Sequence, residues 1–81
     1  RADTIEGEMC YPIDKCPAIA AMIRQEDGSF IRVEYWLVFT DQALEIQALK
    51  VESGTAIKAT GKAGAGGHFN YLIVSSFQAV K

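Results

Sequence analysis

Three aromatic side chains, Tyr35, Trp36 and Phe39, fall within one short stretch of the chain. Rings of this kind are platforms on which nucleic-acid bases stack, and cations placed beside them can meet phosphates. Four cations could serve. Arg24 and Arg32 flank one proposed hairpin, and Lys58 and Lys62 lie on or beside another. His68, next to Phe69, could stack on a base or touch a phosphate. Each has a plainer reading. Aromatic residues on a strand fill a core, and Glu26, Asp27 and Glu34 are close enough in sequence to pair with Arg24 and Arg32.

The other reactive residue types do not combine into a catalytic set. His68 is the only histidine, and neither Ser53, Ser75 and Ser76 nor Cys10 and Cys16 have an evident base partner. Glu6 and Glu8 share a strand face, which is ordinary for exposed acids. The run Gly61-Lys-Ala-Gly-Ala-Gly-Gly-His68 is not a phosphate-binding loop, because it lacks the lysine and hydroxyl at the required positions and opens no helix. Two cysteines and one histidine would make an unusual zinc site. The expectation is a non-catalytic chain without metal or cofactor. Cys10 and Cys16 are expected as free thiols of an intracellular protein, with a bridge across their short loop as the alternative.

Composition sets the frame for these residues. Of the 81 residues, 49% are hydrophobic and 22% charged, which is globular composition. The length suits one domain, residues 1–81. Eight Lys and Arg against ten Asp and Glu give a formal charge of −2, which argues against coating nucleic acid by bulk charge but leaves room for a local basic surface. The longest apolar runs, such as 18–23 and 71–74, fall far short of the roughly 20 residues that span a bilayer, so no membrane is expected as a partner. The chain begins with Arg1 rather than Met, as expected of a trimmed or excised segment.

Local alternation, turn residues and helix spacing divide the chain into five strands and one helix. Residues 4–10 alternate as a first strand, with Gly7 as a bulge or bend. Residues 11–17 read as a connection, because Pro12 and Pro17 deny ladder donors. Residues 18–25 and 30–39 form a hairpin around Glu26-Asp27-Gly28-Ser29. On the second of these strands Ile31, Val33, Tyr35, Leu37 and Phe39 share one face, and Arg32, Glu34, Trp36 and Val38 the other. Thr40-Asp41 then caps a helix carrying Leu44, Ala48 and Val51, with Gly54 as its stop. Residues 55–60 form a fourth strand, 62–67 a flexible loop and 69–77 a fifth strand.

Five short strands with one helix between the third and fourth is the layout of an OB-fold, an all-β Greek-key barrel. An SH3-like barrel is the alternative, though it normally lacks a full helix there. Four stretches resemble the single-stranded-DNA-binding (SSB) family. They are Tyr35-Trp36-Leu37-Val38-Phe39, Ala43-Leu44, Gly54-Thr-Ala-Ile-Lys-Ala-Thr-Gly61, and the apolar run from Tyr71 to Val80. The likeness covers roughly residues 30–80 and extends to the OB-folds of primosomal replication and kinetoplastid RNA-editing proteins. It departs from the family in its short hairpin loops. With Phe39 aligned, Val33 also falls where the family carries a stacking Trp, and Trp36 turns to the opposite face.

The resemblance implies non-catalytic binding of single-stranded DNA or RNA, weak per domain and reinforced by a homo- or hetero-oligomer. Strands two and three and the last hairpin would form the groove. The competing expectation is a structural OB-fold whose apolar strands mediate protein–protein assembly.

Overall fold

In the computed structural model, which describes residues 2–80, the chain orders as β1 (Asp3–Ile13), β2 (Cys16–Arg24), β3 (Phe30–Phe39), α1 (Gln42–Leu49), β4 (Ala56–Gly66) and β5 (Phe69–Ala79). The strands close into a barrel in the order β1-β2-β3-β5-β4 and back to β1. β3 and β5 run parallel, and every other pair is antiparallel. With one helix between the third and fourth strands, this is the expected OB-fold.

Closure depends on β1 serving two neighbours. Its first half, Asp3 to Glu8, pairs with β4, and its second half, Glu8 to Ile13, pairs with β2. At the changeover the backbone of Gly7 passes so near β2 that a Cβ there would stand 2.1 Å from the Ala20 carbonyl oxygen. Only glycine permits the crossing. Gly7 stays in register opposite Ile57, so of the bulge or bend expected from sequence it is not the bulge; it lies where β1 changes partners and permits the close approach. The irregularities lie elsewhere, between Cys10 and Ile13 and between Thr60 and Gly61. Gly61 has the same role as Gly7, since a Cβ there would meet the Ile73 carbonyl oxygen at 1.9 Å.

All five strands and the helix contribute to one core. Met9, Ile19, Ile57, Leu72 and Val74 are its largest fully buried side chains. Leu37, Ala48, Ala59 and Phe77 complete it. The helix plugs one end through Ala48, with Leu44 and Val51 packed beside it, as the 44/48/51 spacing predicts. Its start is fixed by Asp41, whose Oδ1 accepts from the Ala43 amide at 2.9 Å. Its end is tied to β1. The Tyr11 hydroxyl lies 3.1 Å from the Ala48 carbonyl and 2.5 Å from that of Val51, so it donates into the carbonyl-rich terminus. Burial pushes the Tyr11 hydroxyl above its ordinary pKa.

Three local expectations need correction. Residues 11–13 and 16–17 belong to strands rather than to a connection, and the β1–β2 turn is only Asp14-Lys15, with Lys15 at φ 62°. The prolines are accommodated because Pro12 lies in the irregular stretch of the ladder and Pro17 falls in β2 one residue beyond its last paired turn position. Residues 62–66 are strand, not loop, and only Gly67-His68 turn. The side chains missing from this Gly/Ala run are replaced by Tyr71, whose ring lies over Gly64, opposite it in register. Gly54 does not stop the helix, which ends with Lys50 as its cap. Gly54 instead turns the chain into β4, donating from its amide to the Met9 carbonyl.

Gly61→Ala is therefore expected to lose about 3 kcal/mol or more in urea melts, since a backbone carbonyl must move. Gly66→Ala, where the nearest atom to an added Cβ is 3.9 Å away, should change stability by less than about 1 kcal/mol. Equal effects at the two sites would contradict this account of closure.

Candidate functional site

The pleat of β3 sorts the three aromatic candidates. Leu37 points into the core, and Tyr35 and Phe39, on the same parity, pack against that core from inside. Phe39 meets Phe77 edge to face, with ring centroids 6.4 Å apart. Neither ring is a surface platform. Trp36 takes the opposite parity and faces outward. In register it flanks Ala18, which is fully buried although it lies on the outer face.

Trp36 does not stand alone outside. Phe69, the first residue of β5, meets it edge to face at 6.5 Å and 79°. Phe69 remains 53% exposed, so its ring is available to a ligand. The parallel β3–β5 pairing produces this contact, because it sets Trp36 opposite Tyr71 and brings the start of β5 alongside the middle of β3. A groove opens beside the two rings, lined also by Arg32, Glu34, His68 and Asn70. It lies on the outer face of β3 next to the β4–β5 turn, a region OB-folds use for oligonucleotides and oligosaccharides.

The charge within the groove is internally paired. Arg32 Nη1 donates to Glu34 Oε2 at 2.6 Å, two residues along the same strand face. Glu34 holds the Arg32 guanidinium still more firmly protonated than usual. Cys10, on β1, reaches the same carboxylate, with Sγ 4.0 Å from Glu34 Oε2. Partial burial, and then the Glu34 charge, raise the Cys10 thiol pKa, while Arg32 opposes them. Both Cys10 and Cys16 are free cysteines.

The structure brings together Arg32, Trp36 and His68 of the residues singled out by sequence. It places the others apart. Tyr35 and Phe39 face the core. Arg24 lies further out on β2, opposite Phe30, and makes no ion pair among the described residues. Lys58 sits on β4 opposite Glu6 of β1. Lys62 is opposite Ile73 and lines a separate groove with Thr40 and Asp41. Sequence reasoning did not single out Phe69 or Asn70 as site residues. The available signal for Phe69 was its place beside His68 at the start of a strand, where a large apolar side chain has little to cover it.

Among the described residues, no three His, Cys, Asp or Glu side chains group as a metal site would need. No helix among them is long and apolar enough to cross a membrane. No family profile matches the chain, and no curated protein matches it.

The two edge-to-face pairs should respond differently to truncation. Phe39→Ala empties space against the core and is expected to cost about 3 kcal/mol in thermal or urea unfolding. Phe69→Ala removes an exposed ring and one aromatic contact, for a cost of about 1 kcal/mol or less. A larger loss from Phe69 than from Phe39 would reverse the inside–outside assignment of β3.

Proposed function

We propose that this chain binds single-stranded nucleic acid, DNA or RNA, without catalysis, in the manner of the SSB-like OB-folds that its sequence resembles. The observation that carries this reading is the outward Trp36–Phe69 pair beside Arg32 and His68. Two rings at right angles cannot both stack on one base, so they suit successive bases of an unpaired strand. Base–aromatic stacking is worth about 1–3 kcal/mol per base and tolerates any sequence. Arg32 supplies a phosphate contact or a second stacking plane, and Asn70 an amide able to hydrogen-bond a base edge.

The Arg32–Glu34 pair limits affinity on this reading. Glu34 occupies the guanidinium that a phosphate would otherwise take, so the strand must displace a carboxylate already in place. Few cations border the rings, and Lys58 and Lys62 lie elsewhere on the barrel. Binding by one domain is therefore weak, with only a few phosphates neutralised.

Fluorescence anisotropy with a labelled oligonucleotide of about 16 nucleotides tests this directly. Binding should weaken with salt at a log–log slope between about −0.7 and −2, as for one to three phosphate contacts on a single strand. Trp36→Ala and Phe69→Ala should each weaken it by about tenfold or more. Glu34→Gln should strengthen it by several-fold, whereas Glu52→Gln, the same charge change on the exposed segment after the helix, should not. Absence of binding at low salt would refute the proposal.

A further inference from the structure

The outer face of the sheet does not stop at the Trp36–Phe69 groove. β5 lies between β3 and β4, and residues opposed in a ladder share a face. Leu72 and Val74 are buried inside the barrel, so Tyr71 and Ile73, on the other parity, point out. One outer row therefore runs Trp36, Tyr71, Gly64, and the next runs Val38, Ile73, Lys62. Rows on one face are about 6.6 Å apart, two residues along a strand. Val38 and Ile73 remain 43% and 36% exposed, and Lys62 is exposed.

The small residues of β4 shape this face. A Cβ at Gly64 would stand 2.5 Å from both Cζ and the hydroxyl oxygen of Tyr71 and 2.8 Å from its Cε1, and one at Gly66 would stand 3.9 Å from its Cε2. The ring therefore lies down along β4 instead of standing off the sheet. One ring face rests on glycine backbone and the other is turned to solvent, in keeping with a half-buried tyrosine. Two carboxylates stand near Lys62. Asp41, in the same groove, is engaged by the Ala43 amide, and Asp3, opposite Gly61, accepts from the Ala63 amide at 3.3 Å. Lys62 itself makes no ion pair among the described residues, unlike Arg32.

We infer that this face extends the nucleic-acid site, with Tyr71 as a third base platform and Lys62 as the phosphate contact beyond it. The inference rests on the proposed function and adds to it the course of the strand, which crosses from β3 over β5 to β4. Trp36 and Tyr71 are side by side in register, so the bases on them are neighbours. Lys62 lies one row further on, along the same strand as the glycine floor of the Tyr71 ring. Val38 and Ile73, in the row of Lys62, offer an apolar surface to a sugar. The occupant follows from the chemistry of the face. A ring lying flat with one side open, and an unpaired cation in the next row, match a base and its phosphate. The face is also continuous with the Trp36 platform, so one strand can occupy both.

Fluorescence anisotropy of the full chain with a labelled single strand of about 16 nucleotides tests it. Lys62→Gln should make the log–log salt slope less steep by about 0.7, the share of one phosphate on a single strand. Tyr71→Val should weaken binding about fivefold or more, and Tyr71→Phe, which keeps the ring, should bind as the wild type does. Lys62 is exposed, so the salt-slope measurement decides the matter even where Tyr71→Val unfolds the chain. A wild-type slope and affinity in Lys62→Gln, with Trp36→Ala still weakened, would overturn the inference and leave the Trp36–Phe69 site standing. A wild type that binds no oligonucleotide at low salt would overturn both. Unchanged binding by the Tyr71 and Lys62 variants, with a changed sedimentation mass, would overturn it by giving this face to a protein contact.

Discussion

The structure depends on one backbone crossing. β1 must hydrogen-bond β4 with its first half and β2 with its second, and it can do so only by passing the Ala20 carbonyl at a distance that excludes any side chain at position 7. This crossing closes the sheet, and closure creates a single interior that all five strands can share. It also has a cost. Once β1 has turned toward β4, no described residue pairs with that edge of β2 beyond Ala20. The β2–β3 extension and the groove at its base, lined by Glu6, Glu8, Met22 and Arg32, are both consequences of the turn that makes the barrel.

Closure also decides what faces out. Once the inner face of β3 is committed to Leu37, with Tyr35 and Phe39 beside it, the pleat leaves Arg32, Glu34 and Trp36 on the outer surface. The parallel alignment of β5 then delivers Phe69 to Trp36. No single strand encodes the candidate site. It arises where the outer face of β3 meets the start of β5, and its electrostatics are set by a carboxylate and a guanidinium two residues apart on one strand. The net acidity of the chain takes a local meaning here. The arginine nearest the rings carries its own counter-ion.

Much of the architecture was legible in the residues. The alternation in 30–39, the Asp41 cap and the 44/48/51 spacing are strong local signals, and each corresponds to an observed element. Their order sufficed for an OB-fold. The misread segments share a cause, which is that a partner distant in sequence overrides local propensity. The run 62–66 looks like a loop until Tyr71 covers Gly64. Tyr11 and Pro12 look like a connection until the Tyr11 hydroxyl docks on the helix end. For the site, the two faces of β3 were readable but not which of them lay inside, because its second half is apolar on both. The Trp36–Phe69 contact joins residues on separate strands through a parallel pairing that no local pattern specifies.

The central claim is that Trp36, the only tryptophan of the chain, is an outward platform for unpaired bases. Its intrinsic fluorescence reports on that without any label. Titration with an unlabelled single-stranded oligonucleotide at low ionic strength should quench the emission to a saturable limit, and added salt should restore it. The matching duplex, whose bases are already stacked, should have little effect. Emission that is unchanged by the single strand, or quenched equally by the duplex, would contradict the account.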